Sequence, residues 1–165
     1  MQLYTKTQIK PFNQRISHDS SILSLGSCFA DNMAKRLNSL KFDVVSSPTG
    51  ILFNPESIAL AIERFAAYNN GDSSALPQRN ELHYDNGCWF HYDFHSAFSN
   101  SDPDKALAQM QEAVKLGAEA LKRADTVIIT FGSAIIYRYN ENQQVVANCH
   151  KQPQRLFTKE LLDAE

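Results

Sequence analysis

Residues 126–131 read Thr-Val-Ile-Ile-Thr-Phe. A near-continuous apolar run rich in β-branched side chains is the pattern of a strand covered on both faces. It follows a helical pattern opened by Asp102-Pro103, in which Ala106, Met110, Val114, Gly117 and Leu121 recur at helical spacing. Lys122 and Arg123 suit the C-terminal dipole of that helix. A doubly covered strand needs helices packed against it, so this run predicts an α/β fold with a mostly parallel sheet.

The upstream sequence agrees. Residues 21–26 read as a short strand carrying Ile22, Leu23 and Leu25. Phe29, Met33, Leu37 and Leu40 then fall on one helical face. Residues 42–46, with Val44 and Val45, read as a second strand, and Ser46-Ser47-Pro48-Thr49-Gly50 is loop chemistry. Asn54-Pro55-Glu56 is a helix start, and Ile58, Ile62 and Phe65 mark the buried face that follows. Asp85-Asn86-Gly87 predicts a hairpin. Residues 135–139 and 145–147 suggest further strands, and Leu161 and Leu162 begin a helical pattern. The expected architecture is helices on both faces of a mostly parallel sheet, with an inserted β-hairpin.

Composition narrows the function classes. At 165 residues the chain has a prior of about one domain. Hydrophobic residues at 43% and charged residues at 21% exclude a disordered tail, a collagen-like repeat and a disulfide scaffold. Sixteen basic against eighteen acidic residues give a net charge of -2, with no basic field for nucleic acid or an anionic membrane. No apolar run approaches the ~18 residues of a membrane helix. Residues 1–10 carry no signal-type apolar core. Three cysteines without metal-type spacing point to free thiols in a reducing cytoplasm. No glycine-rich phosphate loop is present, so no cofactor is implied.

Ligands of parallel α/β sheets bind beyond the carboxyl ends of the strands. Three segments occupy such positions: Gly26-Ser27-Cys28, the loop ending at Gly50, and Gly132-Ser133. Gly26 permits a tight turn, and Ser27 falls where the strand becomes a helix. A hydroxyl there can attack a carbonyl. Serine is also a preferred helix cap and needs no chemistry to stand there.

Gly26-Ser27-Cys28-Phe29-Ala30 matches the name motif of the GSCFA family, which resembles the SGNH/GDSL hydrolases with their Gly-Asp-Ser first block. Four further segments are similar to that family: Pro48-Thr49-Gly50 with Asn54-Pro55, Asp93-Phe94-His95-Ser96, Thr130-Phe131-Gly132-Ser133, and Ala147-Asn148-Cys149-His150-Lys151. The resemblance implies a three-layer α/β/α fold of the SGNH-hydrolase (flavodoxin-like) type, with residues 1–165 forming a single domain that is incomplete at its C-terminus. It implies Ser27 as nucleophile, cleaving an ester or acyl group of a small molecule or carbohydrate. Gly50 matches the second-block glycine whose N–H faces the oxyanion, and Gly132 ends the third-block strand. That block departs from Gly-x-Asn-Asp, since Gly132-Ser133-Ala134-Ile135 has no asparagine, and Asn148 is the substitute donor. The late Asp-x-x-His block is absent, which places the base histidine beyond residue 165 and allows the chain to be inactive as given. The alternative is a non-catalytic module binding a carbohydrate or acyl ligand on the same scaffold. A sheet edge left open by a missing C-terminal part is compatible with a homo-oligomer.

Other constellations compete. Cys28 at a helix start, with His150 as partner, is a rival nucleophile, although a small thiol packed behind the turn is the plainer reading. On an extended strand Trp89, His91, Asp93 and His95 share a face, and two histidines with a carboxylate can chelate. A solvated strand face explains the same residues, and no metal is expected. His95 and His150 are candidates for pocket or base, while His18 and His83 read as surface residues. Arg138, beside Tyr137, reads as the partner of a surface carboxylate rather than as a substrate-binding residue.

Overall fold

The computed structural model describes residues 10, 11, 13 and 15–163. Strand β1 (Ser21–Gly26) is followed by helix α1 (Cys28–Ser39), strand β2 (Asp43–Ser46) and helix α2 (Pro55–Asn69). A hairpin of β3 (His83–Asp85) and β4 (Cys88–Phe90) precedes helix α3 (Pro103–Arg123). Strands β5 (Thr126–Thr130), β6 (Ile135–Tyr139), β7 (Val145–Val146) and β8 (Phe157–Leu161) complete the described elements. The fold is α/β, with a parallel sheet in the order β2-β1-β5 and a separate antiparallel sheet in the order β7-β6-β8.

Strand β1 is the centre of the parallel sheet, and its alternation divides the apolar contacts. Leu23 and Leu25 are fully buried and join Phe65 of α2 with Met110 and Val114 of α3 in the main core. Ile22 instead meets Ala34 of α1 and Val44 of β2. The predicted helix starts form for the predicted reasons. Asn54 Oδ1 accepts from the Ser57 N–H at 2.8 Å, and Asp102 Oδ1 accepts from the Asp104 N–H at 2.9 Å. The hairpin turns through Asn86 and Gly87, whose positive φ values of 48° and 80° match a primed turn.

Four expectations fail. Strand β5 is an edge strand, hydrogen-bonded to β1 alone within its sheet, and Val127 and Ile129 are each 42% exposed. The run that reads as doubly covered is covered on one face, because helix α3 reaches the side chains of β1 but not these two. On α1 the large apolar residues are not the buried ones. Ala30 and Ala34 are buried, whereas Phe29 is 61% exposed and Met33 and Leu40 are also exposed. Small side chains let the helix lie close to the sheet, which turns its bulkier neighbours outward. Leu161 ends strand β8, which pairs with β6, rather than starting a helix. Only β1, β2 and β5 are parallel among the described strands, so most strands are antiparallel. No helix among the described residues is long and apolar enough to cross a membrane.

Helices α2 and α3 meet at Gly117, where a Cβ would overlap the ring of Phe65. Glycine to alanine inside a helix ordinarily stabilises by about 0.5–1 kcal/mol. Here the sign is expected to reverse, because the fully buried Phe65 ring has no free direction. Urea denaturation of Gly117→Ala is expected to show a loss of about 1–3 kcal/mol. A variant as stable as the parent would show that the interface yields.

Candidate active site at the carboxyl end of the parallel sheet

Strands β1 and β5 end side by side, with Gly26 registered against Thr130. Gly26 has φ 130°, and a Cβ there would enter the space of the Thr130 carbonyl. That close approach delivers Ser27 to the start of α1. Ser27 is the N-cap residue, yet its side chain makes no capping hydrogen bond. Its Oγ lies 3.0 Å from Thr130 Oγ1, and the residue is 7% exposed. The preference of helix caps for serine therefore does not account for the hydroxyl, which is held by a second hydroxyl instead. No histidine is hydrogen-bonded to Ser27 among the described residues.

The backbone N–H groups expected to face an oxyanion have other acceptors. The Ser27 N–H donates to the Thr130 carbonyl at 3.1 Å, and the Gly50 N–H closes a turn onto the Ser47 carbonyl at 2.8 Å. The Gly132 N–H donates to the Phe53 carbonyl at 2.7 Å. Sheet and turn geometry claim these donors first. The N–H groups of Cys28, Phe29 and Ala30 in the first turn of α1 have no acceptor among the described residues.

Gly132 stands beside the serine: a Cβ built on it would lie 3.2 Å from Ser27 Cβ and 3.0 Å from Phe53 Cδ1. Phe53 in turn lines a groove of about 360 Å³ together with His95, Ser133 and Asn148. The fold thus gathers the matched segments here, although Ser27 itself does not line the groove. His95 is seated against Gly50, whose φ of 98° and missing Cβ make room for it. His95 Nδ1 accepts from the Ala97 N–H at 3.2 Å, and Nε2 has no partner among the described residues. Asn148 Oδ1 accepts from the His150 N–H at 2.8 Å, and its amide nitrogen has no acceptor among the described residues.

His150 is turned away from this groove. Its Nε2 donates to the His91 carbonyl at 2.9 Å, and its ring stacks on Phe90 with centroids 4.4 Å apart. No hydrogen bond joins it to Cys28 among the described residues, and Cys28 is exposed rather than packed behind the turn. The metal-like pattern also dissolves. Strand β4 stops at Phe90 and the chain turns, so the extended alternation through residue 95 is not formed. Asp93 pairs with Arg64 at 2.6 Å, and no group of three metal-type side chains converges among the described residues. His83 does not read as a plain surface residue, since its ring packs 4.4 Å from that of Tyr92. Arg138 pairs with Glu160 at 2.7 Å. The partner of Ser27, Thr130, is signalled in the sequence only by its place at the end of the strand that pairs with β1.

Two outcomes follow. Iodoacetamide is expected to label Cys28 before Cys149, whose half-buried thiol is pushed up by desolvation, with peptide mass spectrometry as the readout. Labelling of Cys149 first would contradict this order. Burial also pushes the imidazoles of His83, His91 and His150 below their ordinary value of 6.5. Such groups take up protons more readily when unfolded, so stability held above about pH 6.5 is lost as pH falls through the folded values. The urea midpoint is expected to fall below about pH 6.5, and to fall less steeply in His150→Asn.

The model of the GSCFA family matches residues 21–165. No curated protein and no solved structure matches the chain. The match runs from the first residue of β1 through the whole candidate site, and the chain belongs to the GSCFA family.

Proposed function

We propose that this GSCFA chain is an SGNH-like hydrolase domain of three-layer α/β/α type, in which Ser27 attacks the carbonyl of an ester or acyl group on a small molecule or carbohydrate. The observation that carries the reading is the Ser27 hydroxyl itself: it sits at a helix start, does no capping, and is held 3.0 Å from Thr130 Oγ1. Thr130 is a positioning residue in this scheme. Its Oγ1 accepts from the Ser27 N–H at 3.2 Å and fixes the rotamer of the neighbouring hydroxyl. The oxyanion would be met by the unpartnered Cys28 N–H and the positive end of α1 rather than by the N–H groups of Ser27 and Gly50. His95 and Asn148 supply the groove wall that orients the acyl group. The step needs a general base, and His95 suits recruitment better than His150 because its Nε2 has no partner among the described residues.

A second reading is favoured by one specific arrangement. The serine hydroxyl has a threonine rather than an imidazole as partner, so the same site fits a non-catalytic module that binds a carbohydrate or acyl ligand.

A fluorophosphonate probe separates the two. The expected result is a phosphonyl adduct on the Ser27 peptide, absent in Ser27→Ala. Thr130→Val is expected to slow labelling about tenfold and Thr130→Ser to retain it. Folded protein that forms no adduct at Ser27, while binding an acyl sugar saturably, would overturn the hydrolase reading.

A further inference from the structure

A larger cleft, of about 650 Å³, opens between α2, the β3–β4 hairpin and strands β6 and β7, and neither Ser27 nor His95 lines it. Its size suits a small organic ligand. The walls carry the carboxylates of Glu56, Glu81, Asp93 and Glu141 against the guanidiniums of Arg64 and Arg138. Both guanidiniums are already neutralised, Arg64 by Asp93 at 2.6 Å and Arg138 by Glu160 at 2.7 Å. Desolvation keeps the imidazoles of His83 and His91 uncharged at neutral pH, so they do not offset the carboxylates. The field in the cleft is therefore negative and favours a cation.

A donor on the cleft wall adds a second requirement. His91 is only 8% exposed, yet it lines the cleft. Its Nδ1 accepts from the Asp93 backbone N–H at 3.0 Å, which puts the ring proton on Nε2. That Nε2–H has no acceptor among the described residues. The atom is not among the buried unpartnered ones, so it is open to the cleft and can donate to a ligand that brings an acceptor atom. Part of the wall is aromatic: the Tyr92 ring lies 4.4 Å from His83 and 5.0 Å from Tyr139, centroid to centroid. Such faces take the C–H side of a sugar ring or a cation.

We propose that this cleft is a binding site for a hydroxylated organic cation of the amino-sugar class. The ammonium group lies toward the Glu56 and Glu141 side, a ring hydroxyl oxygen accepts from His91 Nε2–H, and the C–H face of the ring rests on Tyr139. The site stands whether or not Ser27 is a nucleophile, since neither Ser27, His95 nor Asn148 lines it.

Isothermal titration calorimetry tests it on the whole chain with four probes: glucosamine, N-acetylglucosamine, cadaverine and glucose 6-phosphate. Glucosamine is expected to bind saturably and at least about fivefold more tightly than the other three, because it alone offers both the charge and the hydroxyls. Glu141→Gln is expected to weaken glucosamine about tenfold. This exposed position keeps an acceptor for the Tyr139 hydroxyl, so folding is retained. His91→Phe is expected to bring glucosamine down toward the affinity of cadaverine. Equal or tighter binding of the neutral or phosphorylated sugar would overturn the proposal, as would a Glu141→Gln variant that binds glucosamine like the parent. The absence of saturable heat with glucosamine up to about 20 mM, roughly the weak end of small-ligand affinity, would overturn it as well.

Discussion

The hydrogen-bond ladder between β1 and β5 runs one residue past the end of β1. Gly26 pairs with Thr130, and the Ser27 N–H then reaches the Thr130 carbonyl at 3.1 Å before the chain enters α1. Everything at the candidate site depends on that extra rung. It requires a residue without Cβ at position 26, it brings the two hydroxyls together, and it fixes where the helix begins. The same rung withdraws the serine N–H from catalytic use, so strand pairing and oxyanion binding compete for one donor. The first turn of α1 resolves the competition, because its N–H groups have no claim from the sheet.

Local chemistry was legible in the sequence wherever one short segment decides the outcome. The Asn54 and Asp102 caps, the Asp85-Asn86-Gly87 turn and the buried faces of α2 and α3 each follow from a few neighbouring residues. What could not be read is what covers a face. Val127 and Ile129 have the composition of a covered strand, but coverage depends on how far α3 extends across the sheet. Phe29 and Met33 have the spacing of a buried stripe, but Ala30 and Ala34 pack more closely and take the contact. The helical reading of Leu161 and Leu162 fails because β6 offers an edge for pairing, a partner that no local window contains.

The site follows the same division. Ser27, Gly50 and Gly132 were identifiable because strand ends are identifiable, and the structure sets Gly50 against His95 and Gly132 against Ser27. The acceptors of the Ser27 and Gly50 N–H groups are not legible in the same way, since a backbone N–H carries no sequence label for its acceptor. The two candidate histidines look alike in sequence, and packing separates them. His150 is held by a carbonyl and an aromatic ring, while His95 Nε2, at the groove, has no partner among the described residues. The cleft behind the hairpin was invisible, because its walls come from segments scattered between positions 56 and 146.

The two hydroxyls at the site lie 103 positions apart in the chain. Local pairings such as β1 with α1 and β2 close short loops and form early in folding, whereas contacts of large sequence separation form late. The serine therefore acquires its fixed orientation only after the intervening helices have docked and β5 has joined the sheet. An opening that frees β5 releases the hydroxyl while leaving the β1–α1–β2 unit intact. Order at Ser27 is in this sense a report on the whole molecule, switched on by one of the most distant contacts the chain makes.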